Sequence, residues 1–286
     1  MGLKARFKEM PGTRLPTVPA RNACGALRAV ILMVLTAVLV YGQPCRAGQM
    51  AEKQPAQPLS PEERLRPVLG IPYRDDGVQD LQGNYTLFAR PEARFASSGL
   101  NCSGFVLAAA RILLDSRLSP AEAGRDRLGD SGEDAVRGKD WDFGWDVILN
   151  ISEGHPRRML LPRDGTGAET MDPAESTGAG PLGYPLTAPE TWAELQDRVL
   201  PGHLYLLSFN KPAIQKPYDL LHYHVGILLR GSSGELLLCQ TTSQSGVSSC
   251  RNMADPGVAR TFRKHFADRR GLPKRMVVLE APLPAR

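Results

Sequence analysis

Apolar positions recur at helical spacing through SGFVLAAARILLDS (103–116), and Asn101 just before that run has an N-capping side chain, so a helix is predicted to begin at Cys102. A second helical pattern runs through DWDFGWDVILNISEG (140–154) and a third through PETWAELQDRV (189–199), which Pro201 and Gly202 close. Three short runs follow: HLYLLSF (203–209), YHVGILL (223–229) and ELLLCQ (235–240). Their β-forming and aliphatic composition reads as three consecutive antiparallel strands, with the turn between the second and third at 231–234. A last helix, DPGVARTFRKHFADR (255–269), leads to a final strand, RMVVLEA (275–281). Helices first and strands afterwards, with no internal repeat, predict one α+β domain.

The ends of this pattern set the domain limits. A basic stretch (Lys4, Arg6, Lys8, Arg14, Arg21, Arg28) precedes an apolar run of 14 residues at 29–42 and a small-residue site ending at Ala47. That run is shorter than the roughly 20 residues of a bilayer-spanning helix, so residues 1–47 are expected to be a cleaved export signal. The rival is an uncleaved N-terminal anchor, the one way in which a membrane enters the picture. Lipidation at Cys45 is disfavoured by Gln43 and Pro44 before it. Residues 48–64, rich in Pro, Gln and charge, read as a flexible linker. Between the first helix and the strands, residues 117–188 mix a charged stretch, one helix and a Gly/Pro/Ser-rich tract, and are expected to be an insertion in a domain spanning 65–286.

Charge changes meaning once the signal is set aside. The whole chain carries +5, and residues 1–47 hold seven Lys or Arg against one Glu, so the remainder is near −1. No basic face is implied, and no nucleic-acid partner is expected. Cys24 and Cys45 fall in the signal, leaving Cys102, Cys239 and Cys250 for an oxidising compartment. Cys239 and Cys250 flank a short polar segment and can close a 12-residue loop, which leaves Cys102 as a free thiol.

A thiol at a helix N-terminus faces the positive end of the helix dipole, which favours the thiolate. The backbone amides of Cys102 and Ser103 are placed to stabilise an oxyanion, and Gly104 permits a close backbone approach. A proton acceptor is then needed, and His224 sits within a strand that fixes its side chain, with Gly226 two residues on leaving space for a substrate on the same face. His222, two residues earlier, falls on that face by simple alternation and is the reserve candidate; His155, His203 and His265 lie in a loop, a strand start and a helix. Gln240, at the end of the neighbouring strand, offers an amide oxygen to orient the imidazole, while alternation sends Cys239 to the opposite face, free to pair with Cys250. Alone, a Cys at a helix start is more often a buried structural thiol, and a strand His more often a core residue. The combination in this order favours catalysis. Asp75 and Asp76 read as turn residues, and Trp141, Phe143 and Trp145 as core anchors.

These residues fall in motifs that resemble the NlpC-type cell-wall peptidases, which are papain-like cysteine hydrolases. GIPYRDDG (70–77) resembles the family's opening motif, NCSGFV (101–106) its nucleophile motif, and PGHLYLL (201–207) the start of its first strand. HVGILLRGSSGELLLCQTTSQSGV (224–247) resembles its base-bearing hairpin, with Gln240 in the third polar place. Asn101, Asp76 and His203 depart from the family pattern, and residues 117–188 have no counterpart of that length. The resemblance implies a papain-like fold, a Cys102–His224–Gln240 site, and a lining role for Tyr73 near the oxyanion. It also implies a thioester mechanism without metal or organic cofactor, acting as a monomer in the periplasm or cell envelope on peptide stems of peptidoglycan. Two rival readings keep the fold: acyl transfer or amide hydrolysis on another substrate, and an inactive periplasmic scaffold.

Overall fold

The long apolar strands predicted from sequence belong to a sheet covered on both faces. The structure is a computed structural model that describes residues 59–131, 141–163, 168–179, 183–212, 220–267 and 273–285. The expected export signal and most of the linker lie outside them. Among the described residues no helix is long and apolar enough to cross a membrane.

In chain order the helices are α1 (Pro61–Arg64), α2 (Cys102–Leu113), α3 (Pro120–Ala123), α4 (Phe143–Ile151), α5 (Pro189–Arg198) and α6 (Pro256–His265). A small ribbon pairs β1 (Gly77–Gln79) with β2 (Tyr85–Leu87). The main sheet holds β3 (Arg158–Leu160), β4 (Thr170–Met171), β5 (Tyr184–Pro185), β6 (His203–Lys211), β7 (Leu221–Arg230), β8 (Leu236–Gln240), β9 (Ser249–Asn252) and β10 (Arg275–Pro282). Its order is β4-β3-β10-β6-β7-β8-β9, with β5 also on β10, and every described pairing is antiparallel. The fold is therefore α+β, as the order of helical and strand patterns predicts.

Alternate residues of the central strands feed two separate cores. Leu204, Leu206, Val225, Ile227, Val277 and Leu279 pack with α2 and α4 on one face. Tyr205, Leu207, Phe209, Leu228, Leu238 and Val278 pack with α5 and α6 on the other. With both faces covered, polar alternation would bury unpaired groups, and the strands read as continuous apolar runs for that reason. Each fully buried Leu, Ile or Phe contributes about 1.5–3 kcal/mol by leaving water.

Segment 117–188, read from sequence as an insertion, supplies part of this architecture. Within it, α4 buries Trp145, Val147, Ile148 and Ile151 in the first core, and β3 and β5 extend the sheet along β10. Trp141 and Trp145 are each 1% exposed, consistent with their reading as core anchors.

Candidate active site

Helix α2 begins where the sequence places it. Asn101 is its N-cap, and its Oδ1 accepts from the Gly104 amide at 2.7 Å. Phe105 N–H donates to the Asn101 carbonyl. Among the described residues, the amides of Cys102 and Ser103 remain as the first-turn donors without a hydrogen bond. Cys102 is the first residue of the helix and a part-buried free thiol.

Gly104 permits a close approach, but of the chain's own backbone. A Cβ there would lie 2.1 Å from the Gly77 carbonyl oxygen. That same oxygen accepts from Asn101 N–H at 2.8 Å, so the segment 70–77 is pressed against the start of α2. The segment is held from the other side by the loop after β8: Tyr73 N–H donates to Gly246 O at 2.8 Å, Gly70 N–H to Ser248 O at 2.9 Å, and Pro72 bridges Val247. Segments separated by more than 170 residues thus form one wall beside Cys102.

The ladder between β7 and β8 ends at Ile227↔Cys239. Just beyond it lie His224 and the Val225 amide, both of which act on the thiol of Cys102 and favour the thiolate. Gln240 Oε1 lies 2.7 Å from His224 Nε2, which leaves Nδ1 as the ring nitrogen available to Cys102. The structure therefore brings Cys102, His224 and Gln240 into one row, with His224 hydrogen-bonded to Gln240 and coupled electrostatically to the Cys102 thiol. Burial pushes the Cys102 thiol up, but the charge and hydrogen bond of His224, the Val225 amide and the Ser103 hydroxyl outweigh it and bring its pKa down to about 7. For His224 burial acts against the charged ring, and the Cys102 thiolate with the bonds to Cys102 and Gln240 overcomes it, holding the pKa above the ordinary imidazole value.

Tyr73 is half-buried next to this row. Its hydroxyl donates to Asp75 Oδ1 at 3.3 Å, and burial, then the charges of Asp75 and Cys102, push its pKa up, so it stays protonated. Ser103 is buried, with Oγ 4.0 Å from the thiol sulfur. Cys239 and Cys250 form a disulfide and face each other across β8 and β9, next to the pair Gln240↔Ser249. Cys239 packs in the first core, on the side opposite Gln240, as alternation predicts.

One expectation is corrected. His222 does not share the face of His224. The β6–β7 register pairs Phe209 with His224 but Asn210 with His222, so Tyr223 is an extra residue in a β-bulge, and the alternation reverses there. His222 instead packs beside Trp145 and Trp141. Its Nδ1 accepts from Ser208 Oγ at 2.7 Å and its Nε2–H donates to Gly178 O at 2.9 Å, while burial drives its pKa down to about 4. It is a neutral core histidine. A Cβ at Gly226 would meet the Cys239 carbonyl oxygen at 3.3 Å and Gln240 Cβ at 3.5 Å, so this position lies against β8 beside Gln240.

The sequence reading missed the surroundings of the imidazole. The Phe209 and Phe266 rings lie 4.9 and 5.9 Å from that of His224. The i, i+4 spacing of Phe262 on α6 and Phe266 at its C-cap was the available signal, but nothing local said which strand that stripe would meet. A cavity of about 500 Å³ opens from Gln240 and Phe266 between α6 and the β8–β9 hairpin, with Leu238, Met253 and Phe262 as apolar wall and Arg251 at its polar side.

No protein-family model matches the chain, and no curated protein does. Among solved structures it is similar to protein LPG0564 from Legionella pneumophila, which carries the family designation DUF1460. The identity is 16%, with 79% of this chain and 88% of that one covered and a TM-score of 0.42. It is also similar to a Bacteroides fragilis protein described as a "putative xylanase", at 15% identity, with 76% and 98% covered and a TM-score of 0.33.

Proposed function

We propose that this chain is an exported cysteine hydrolase of the NlpC type, papain-like in fold, which cleaves amide bonds in peptidoglycan stem peptides. The observation that carries the proposal is the row Cys102–His224–Gln240, with the thiol on the first residue of α2 and its pKa near 7.

In the reaction, the Cys102 thiolate adds to the amide carbonyl, and the oxyanion forms opposite the amides of Cys102 and Ser103. The C–N bond breaks as the His224 imidazolium gives its proton to the leaving amine. Water then attacks the thioester, His224 takes its proton, and the carboxylic acid departs as the thiolate returns. Gln240 accepts from Nε2–H throughout and keeps Nδ1 towards the thiol. No step draws on a metal or organic cofactor. The cavity beside Gln240 would receive the part of the substrate flanking the bond, and the resemblance of the four motifs supplies the choice of peptidoglycan.

The test is alkylation of residues 48–286 with iodoacetamide across pH, with mass mapping to Cys102, followed by digestion of purified peptidoglycan fragments. Labelling with a midpoint near 7 and release of stem-peptide fragments that Cys102→Ala abolishes are expected. Slow labelling with an ordinary thiol profile would sink the enzyme reading and favour a scaffold role. Cys102 labelling with a midpoint near 7 but without fragment release would keep the hydrolase and reject this substrate.

A further inference from the structure

Arg251 brings a positive charge into the cavity beside Gln240. In the β8–β9 ladder Gln240 pairs with Ser249 and Leu238 with Arg251, so alternation puts Gln240, Leu238 and Arg251 on one face, and all three line the cavity under α6. Arg251 stands two residues along the ladder from Gln240, about 7 Å at the rise of a strand. Among the described residues no ion pair or hydrogen bond engages its guanidinium. Asp255 is the one carboxylate in the described lining, and it is the N-cap of α6: its Oδ1 accepts from the Gly257 and Val258 amides at 2.7 and 3.1 Å.

The cavity is also continuous with the candidate active site. Gln240 and Phe266 both touch the imidazole of His224 and both line the cavity, so a substrate segment that passes Gln240 enters it. Its volume of about 500 Å³ is in the range of small-ligand clefts, roughly 300–1,000 Å³. Resting on the hydrolase reading above, we propose that this cavity is the specificity site for an acidic residue of the substrate. Arg251 binds the carboxylate of that residue, and Leu238, Met253 and Phe262 take its aliphatic carbons. A guanidinium matches a carboxylate through two parallel N–H···O bonds, whereas a carboxamide presents a donor in place of one of the oxygens. The site therefore selects against substrates in which that carboxyl is masked as an amide.

Saturation-transfer NMR on the protein, with N-acetylglutamate as the probe and N-acetylglutamine as its neutral match, tests the pocket without relying on turnover. N-acetylglutamate is expected to bind at least tenfold more tightly. Arg251→Gln, at an exposed position of the edge strand β9, should bring the two probes level while circular dichroism stays at the wild-type signal. In digestion of peptidoglycan fragments, conversion of their carboxyl groups to carboxamides should raise KM at least tenfold for the wild type and leave that of Arg251→Gln unchanged. No binding of N-acetylglutamate, equal binding of the two probes by the wild type, or a preference that survives in Arg251→Gln overturns the site. An ordinary thiol profile at Cys102 with the glutamate preference intact would sink the hydrolase reading alone and keep the carboxylate pocket.

Discussion

Gln240 Oε1 sits 2.7 Å from His224 Nε2, on the last residue of β8. An oriented imidazole is what a thiolate–imidazolium pair needs, since an imidazole free to rotate loses Nδ1 as a partner for the thiol. Removing a hydrogen bond to a charged group costs about 1.5–3 kcal/mol, so Gln240→Ala should lower the rate constant for amide hydrolysis roughly 10- to 100-fold. The same variant should raise the pH midpoint of Cys102 alkylation; an unchanged midpoint would remove Gln240 from the site.

The pH dependence of Cys102 itself has a definite sign. Its thiol titrates at about 7, so alkylation should rise through that pH, well below the ordinary thiol range near 8.5. Burial alone pushes the thiol up, and His224 is the main opposing influence. His224→Ala should therefore move the midpoint above the wild-type value. Iodoacetamide rates measured from pH 5 to 10 on both proteins check this.

His222 should behave in the opposite way. Its folded pKa of about 4 lies below the unfolded value near 6.5, so the neutral ring stabilises the fold above 6.5, and that stability is lost as pH falls through 4. Burial suggests a loss of about 3 kcal/mol across this window. The melting temperature should fall between pH 6.5 and 4 by several degrees more in the wild type than in His222→Gln. Cys102 alkylation should keep its wild-type midpoint in that variant.

The Cys239–Cys250 disulfide closes a short loop beside Gln240, and a bridge of this kind is worth about 3 kcal/mol. Cys250→Ser should lower the melting temperature by roughly 6–12 °C in a domain of this size. If β8 and β9 hold Gln240 in place, hydrolysis should also slow. A melting curve identical to the wild type under oxidising conditions would mean that the bridge does not form.

Gly104→Ala tests the packing behind Cys102. Its Cβ would be 2.1 Å from a backbone oxygen of the segment 70–77, which cannot swing aside as a side chain does. Destabilisation of about 3 kcal/mol or more is expected in chemical denaturation, together with a loss of Cys102 reactivity from a displaced helix start.

Local patterns determined a good deal here. The helix beginning at Cys102 follows from its own periodicity and from Asn101, because an N-cap acts within three residues. The strand runs of β6, β7, β8 and β10 are legible because burial on both faces leaves a continuous apolar signature, and the parity of Cys239 and Gln240 follows from a strand period of two. Other features depended on pairing between distant segments. Strands β3, β5 and β9 have two to four residues each, too few for a period to emerge, and exist because β10 and β8 offer them ladders. The bulge at Tyr223 arises from how β6 and β7 meet, so alternation along β7 alone gave His222 the wrong face. The sequence named Cys102, His224 and Gln240 through residue type and order, whereas only the tertiary structure decided that Phe209 and Phe266 enclose the imidazole and that Gly77 abuts Gly104. Those contacts join residues far apart in the chain, and no local pattern records which distant partner a buried face will meet.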